Sequence, residues 1–181
     1  MTRLILFPGA GSDSNHSSLV AIERAVKPIK VVRADFPYRK AGKKAPDRSP
    51  ILEQAVRDEV DRVRRGPVVL GGRSMGGRIC SMVVGDAVDP VPAAGLVLIS
   101  YPLHPPGKPE RLRVEHFPRI HVPCLFVHGT NDRFGSPDEL REWTATIPGP
   151  VTFEWIEGKG HDLKGADDRI ASVVAEWIDG L

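Results

Sequence analysis

Cysteine is scarce in this chain, with two in 181 residues. A disulfide-stapled secreted scaffold needs more, so Cys80 and Cys124 read as small buried hydrophobes in a reducing compartment, and a cytoplasmic location is expected. Neither has the spacing of a metal ligand, and no metal is expected. Net charge is nearly absent: 25 Lys and Arg face 23 Asp and Glu, a balance of +2. Such a balance gives no bulk attraction to nucleic acid or to a membrane surface. No apolar run approaches the length of a membrane-spanning helix. The start, Met1 to Phe7, is too short for a signal peptide and runs straight into a strand-like segment. Repeats, linkers and low-complexity stretches are also missing, so residues 1–181 read as a single domain.

What is present is an ordinary globular composition, 41% hydrophobic and 27% charged, arranged in a regular alternation. Short apolar runs recur at Leu4–Phe7, Lys30–Ala34, Val68–Leu70, Gly95–Ser100, Cys124–His128 and Val151–Ile156. Between them lie stretches of helical period: Leu19, Ile22 and Val26; Leu52, Val56, Val60 and Val63; Met75, Ile79, Met82 and Val83; Leu140, Trp143 and Ile147; Ile170, Val173, Val174, Trp177 and Ile178. Ser49-Pro50 reads as the start of the second helix and Gly66-Pro67 as its stop. Ser136-Pro137-Asp138-Glu139 has capping-box spacing. Residues 38–48 and the proline-rich 101–122 read as loops, the latter as at most a minimal cap. Strand and helix in strict alternation imply an α/β fold of about six mainly parallel strands with helices on both faces. In such sheets the working residues lie beyond the carboxyl ends of the strands.

One of those ends stands out. Pro67-Val68-Val69-Leu70-Gly71-Gly72-Arg73-Ser74-Met75-Gly76-Gly77 reads as a strand, a tight turn and a helix, with the nucleophile-elbow pattern Gly72-x-Ser74-x-Gly76. The turn leaves no room for side chains on either side of the serine and exposes its hydroxyl. A serine hydroxyl needs a positioned base, and the base needs a partner that fixes its tautomer. Asp132, four residues after His128, and His161, five after Ile156, follow later strands. The order Ser74, Asp132, His161 is the one expected behind such an elbow.

With these residues in view the chain resembles the α/β-hydrolases, in the small and nearly lidless group of dienelactone-hydrolase-like proteins. Gly71-Gly72-Arg73-Ser74-Met75-Gly76, Tyr101-Pro102-Leu103-His104 and the Gly129–Asp132 turn are most similar to the testis-expressed protein 30 branch. The resemblance implies Ser74 as nucleophile, Asp132 as acid and His161 as base. It also implies an oxyanion hole from the backbone N–H groups of Ala10 and Met75. Ser74 stands where true dienelactone hydrolases carry a cysteine, and the strands that usually precede the first one here are missing, as is a lid domain.

The function expected is hydrolysis of a small ester or thioester through an acyl-serine, with no metal or organic cofactor and a small-molecule ester as the partner. The alternatives are a non-catalytic interaction module, or a small peptidase or acyl transferase. Oligomeric state stays open. Arg73 either meets an anionic group in the pocket or forms a structural ion pair, and His104 is either a substrate contact or plain loop. His128 reads as structural and His16 as a helix-start residue. His116 and His121 have no acid in view, and Asp35 is a rival to Asp132. Arg39, Lys40, Lys43 and Lys44 read as a solvated basic loop rather than a binding element.

Overall fold

The computed structural model describes residues 2–63 and 66–181. Six strands, β1 (Arg3–Phe7), β2 (Lys30–Arg33), β3 (Val68–Arg73), β4 (Gly95–Ile99), β5 (Cys124–Gly129) and β6 (Val151–Ile156), form one sheet in the order β2-β1-β3-β4-β5-β6. Every neighbouring pair is parallel. The central strands β3, β4 and β5 are buried along their whole length, which is why their sequences are continuously apolar; the edge strands β2 and β6 are only partly covered.

Side-chain alternation along the strands splits the core into two layers. Ile5, Phe7, Leu70, Leu98 and Phe126 face one way and pack with Leu52, Val56, Ile79, Val83 and Leu140. Those partners come from α3 (Ser49–Arg62), α4 (Met75–Val84) and α5 (Pro137–Thr144). Leu4, Leu6, Val69, Val97 and Val127 face the other way, against Leu19 and Ile22 of α1 (Ser17–Ala25) and Ile170 and Val174 of α6 (Asp167–Asp179). The capping box of α5 is complete: the Glu139 N–H donates to Ser136 Oγ and the Glu139 carboxylate accepts from the Ser136 N–H.

Three local expectations change. α3 begins at Ser49 with Arg48 as its N-cap and no side-chain cap, so Pro50 sits one position inside the helix start. The helix expected to run to a stop at Gly66-Pro67 ends at Arg62, with Val63 as its C-cap. The stretch 38–48 is not all loop: α2 (Pro37–Lys40) opens it, because Pro37 presets the first turn and Tyr38 is buried against Phe36. Residues 101–122 fold back onto the sheet around buried Tyr101 and Phe117, whose rings lie 5.3 Å apart, with one 3₁₀ turn at Phe117–Arg119. No helix of the described residues is long and apolar enough to cross a membrane.

The strand order has one reversal. The chain leaves β1 outward to β2, crosses back over β1 to β3, and then proceeds away on the other side. The loops leaving β1 and β3 therefore diverge at neighbouring strand ends and leave a crevice between them.

Candidate active site

Ser74 occupies that crevice. Its backbone has φ 49° and ψ −117°, a left-handed conformation that a non-glycine residue adopts at a cost. The conformation is held from three sides. The Ser74 N–H donates to Ile99 O at 2.8 Å, and the Ser74 carbonyl accepts from the Arg78 N–H at 3.0 Å. Strand, helix and the neighbouring β1 also press together: a Cβ at Gly72 or at Gly76 would collide with the Phe7 carbonyl oxygen. The two glycines of the elbow are thus required by close approach, since both have ordinary backbone φ.

The serine hydroxyl lies 2.8 Å from His161 Nε2, and His161 Nδ1 lies 2.7 Å from Asp132 Oδ2. A carboxylate only accepts, so Nδ1 carries the proton and Nε2 presents its lone pair to the serine, which donates. Asp132 has no exposed side-chain surface. Its other oxygen accepts the Phe134 N–H at 2.8 Å, and His128 Nε2 lies 3.4 Å from Oδ2. His128, wholly buried, donates from the same nitrogen to Gly135 O at 2.9 Å. Burial holds the His128 pKa below its ordinary value, so it is a neutral brace beneath the acid, in keeping with a structural role. The Phe134 ring stacks on the His161 imidazole with centroids 4.0 Å apart.

Facing Ser74 across the crevice is the loop after β1. Ala10 and Met75 both border the cavity, and neither N–H donates to a backbone carbonyl among the described residues. The loop is tied down at several points. Tyr38 donates its hydroxyl to Ala10 O at 2.8 Å, the Ser12 N–H closes on Gly9 O at 3.1 Å, and Asp35 accepts from the Ser14 N–H and hydroxyl at 2.7 and 2.9 Å. Asp35 therefore spends both oxygens on the β1 loop and stands apart from His161, so it is no rival to Asp132.

Of the two residues with open readings, Arg73 lines the cavity and His104 does not. Arg73 is buried and forms no ion pair within the described residues; it donates from Nη2 to the His161 carbonyl at 3.0 Å, tying the histidine loop to the residue before Ser74. Burial lowers its pKa, against the opposing pull of Asp162, Asp167 and Asp132. Its Nη1 has no partner among the described residues, and the side chain borders the cavity. His104 is buried outside the cavity walls. Its Nδ1 donates to Pro105 O at 2.8 Å and its Nε2 lies 3.3 Å from Glu139 Oε1, so it braces the start of α5. The physical reason is that residues 101–105 turn inward against Phe134 and α5, with the His104 N–H on Phe134 O.

Other expectations settle simply. His16 caps α1, its Nδ1 accepting the Ser18 N–H at 3.3 Å, and it also reaches the cavity. Burial, with help from Arg73, lowers its pKa. His116 is buried with Nε2 2.8 Å from Ser81 Oγ. In the basic loop, Arg39 and Lys40 have acidic neighbours, Asp13 at 3.8 Å and Glu59 at 3.5 Å. Burial pushes the Cys124 thiol up to about 12 and raises that of Cys80 as well, so both are inert. Among the described residues no group of three or more His, Cys, Asp or Glu could hold a metal ion.

The cavity over Ser74 has a volume of about 500 Å³ and is partly open to solvent, with Gly9–Ser12 of the β1 loop and Pro102 and Arg113 of the 101–122 segment among its walls. Phe134 and Arg113 on its wall were not singled out by sequence. Phe134 had a weak signal, sitting two residues after Asp132 where an Asx turn would point its N–H at the carboxylate; Arg113 had none.

A parallel doubly wound sheet with a serine elbow at its switch point defines the class: α/β proteins that work from the carboxyl ends of their strands. Within that class the chain belongs to the α/β-hydrolase family, since the family model for the alpha/beta hydrolase domain matches residues 1–176. Solved structures share the fold. Est1E from Butyrivibrio proteoclasticus superposes with a TM-score of 0.79 at 15% identity, over 99% of this chain and 87% of that one. A protein of the alpha/beta hydrolase superfamily from Xanthomonas campestris gives 0.74 at 21% identity over 99% of both chains. The type II thioesterase BorB from the borrelidin biosynthetic cluster gives 0.73 at 19%, over 97% of this chain and 90% of that one.

Proposed function

We propose that the protein is a serine hydrolase of small esters or thioesters. The observation that carries the reading is the continuous chain from Ser74 Oγ to His161 Nε2 at 2.8 Å and from His161 Nδ1 to Asp132 Oδ2 at 2.7 Å. Ser74 Oγ attacks the substrate carbonyl carbon as His161 Nε2 takes its proton, and Asp132 supports the imidazolium that forms. The carbonyl electron pair moves onto oxygen, where the Ala10 and Met75 N–H groups receive it; such donors are each worth roughly 3 kcal/mol in comparable sites. Collapse breaks the bond to the alcohol or thiol, which leaves with the proton from His161. Water then attacks the acyl-serine, His161 taking its proton and returning it to Ser74 as the acid departs.

Short, soluble substrates suit the open cavity, which has no lid domain to cover a long chain. Esters and thioesters are favoured because Est1E is known with ferulic acid bound and BorB is a type II thioesterase. A fluorophosphonate probe tests the mechanism directly, since its phosphorus is attacked by an activated hydroxyl only. Stoichiometric labelling of Ser74, absent in Ser74→Ala, is the expected result. A folded protein that does not label is an interaction module and not a hydrolase.

A further inference from the structure

The cavity wall carries three arginines, Arg73, Arg78 and Arg113, and no carboxylate. Two of the three form no ion pair among the described residues and are not committed to the histidine loop. Arg78 lies one turn beyond Ser74 on α4, and its guanidinium donates to the Met82 sulfur at 3.4 Å, a weak acceptor. Arg113 comes from the 101–122 segment, and among the described residues its guanidinium reaches only the Pro102 carbonyl, at 3.5 Å. Neither forms an ion pair among the described residues, although most of the other half-buried guanidiniums do, as Arg33 with Glu23 and Arg57 with Asp86. Both are half-buried. The protein therefore keeps two cations on the wall of one cavity, in a setting where each disfavours the other. The Arg113 pKa is lowered first by burial and next by Arg78, in line with that crowding. Arg73 adds a third positive charge to the same cavity wall, with a buried Nη1 that no protein group satisfies among the described residues.

Crowded guanidiniums without acids are what an anion site looks like before its ligand arrives, because a guanidinium pairs with carboxylate or phosphate oxygens through two parallel N–H bonds. We infer that Arg78 and Arg113 form an anion subsite, and that the substrate is a short ester or thioester carrying a negatively charged group a few bonds from the scissile carbonyl. The distance follows from position: four residues along a helix advance about 6 Å, so the Arg78 side chain starts close to the nucleophile. The inference rests on the hydrolase reading of the same cavity, and it narrows the substrate class from small esters to anionic ones. A carboxylate on the acyl part and a phosphate on the alcohol part present the same oxygen chemistry to the arginines.

Two matched pairs of substrates separate those sources. The first is a phenyl ester of glutaric acid with its far carboxylate free, against the same ester with that carboxylate methylated. The second is the acetate ester of 2-hydroxyethyl phosphate against that of 2-methoxyethanol. In at least one pair kcat/KM should favour the anionic member about tenfold or more at low salt, the scale of a charge-assisted hydrogen bond. The preference should shrink with added salt, and in Arg78→Gln/Arg113→Gln it should fall towards one. Arg78→Lys/Arg113→Lys keeps the charge without the fork and should regain part of it, which separates loss of an anion contact from damage to the fold. The pair that shows the preference names the source. Turnover of neutral and anionic members at equal efficiency, or a preference that survives loss of both guanidiniums, overturns the subsite while leaving the hydrolase standing. Binding of monomethyl glutarate to Ser74→Ala, followed by calorimetry, needs no turnover. Arginine-dependent binding in a protein whose wild type cleaves none of the four esters upholds the subsite and rejects the hydrolase.

Discussion

At the scale of single residues, the site is decided by what each oxygen and nitrogen already holds. Asp132 and Asp35 both follow strands on the working edge of the sheet, yet they differ completely in commitment. Asp132 gives one oxygen to His161 Nδ1 and the other to the Phe134 N–H; Asp35 gives both to Ser14. Asp132→Asn would put an N–H or a neutral oxygen against Nδ1 and release the tautomer that Ser74 needs. Ester turnover should fall on the order of 10⁴-fold, as expected when a buried acid of this kind loses its charge but keeps its shape. Asp35→Asn retains one acceptor for Ser14 and should cost less than tenfold, roughly the loss of one hydrogen bond supporting the β1 loop. Steady-state kinetics on the two variants compares them, and a larger loss in Asp35→Asn would reassign the acid. The same residue-by-residue commitment shows why some candidates were illegible in the sequence. Ser74, Asp132 and His161 were legible because their order and their positions after strands are properties of the chain itself. The placement of His104 was not, because it depends on Phe134 and Glu139, 30 and 35 residues further on, closing around it. Nor was the placement of Arg78 and Arg113 on one cavity wall, which brings a helix and an irregular segment to the same site.

At the scale of elements, the elbow is the least tolerant part of the fold. Gly76 opens α4 where it touches the Phe7 carbonyl of β1, so the third strand, the fourth helix and the first strand meet at one point with no side chain between them. Gly76→Ala must push helix from sheet, since backbone rather than a flexible side chain blocks the methyl. The expected cost is about 1–3 kcal/mol of stability, the range for an overpacked core, together with loss of fluorophosphonate labelling as Ser74 is displaced. Denaturant unfolding beside a labelling assay checks both, and a variant of unchanged stability with full labelling would show that the contact can relax. The strands and long helices were readable because buried parallel strands are continuously apolar and half-buried helices carry a stripe of period 3.6. α2 was hidden because four residues are too few for a period, and its burial rests on one side chain, Tyr38, reaching across to Ala10.

At the scale of the whole molecule, acid should destabilise the fold before it titrates the carboxylates. His116 is buried against Ser81 and its pKa is pushed down to about 4 by burial, with Arg78 and Arg119 adding to it. In the unfolded chain the same group protonates near 6.5. Above that pH it is neutral in both states and its contribution is intact. Between about 6.5 and about 4 the unfolded chain binds the proton and the folded one does not, so stability falls as pH falls, by on the order of 3 kcal/mol. His128, buried and also lowered, works in the same direction. Urea midpoints at pH 7 and pH 4.5 should show the drop, and His116→Asn should flatten it while starting from a lower value; an unchanged slope in that variant would assign the effect elsewhere. One further consequence comes from the reversal in strand order. Ser74 stands at the switch point beside β1, whereas its base follows β6, the far edge strand, 87 positions along the chain. The hydroxyl of a half-assembled chain is therefore an ordinary alcohol. On the proposed mechanism a reactive hydroxyl exists only when the last strand has zipped onto the sheet and the loop beyond it has swung back, so reactivity switches on as the closing event of assembly, and a refolding mixture quenched with a fluorophosphonate would count finished molecules alone.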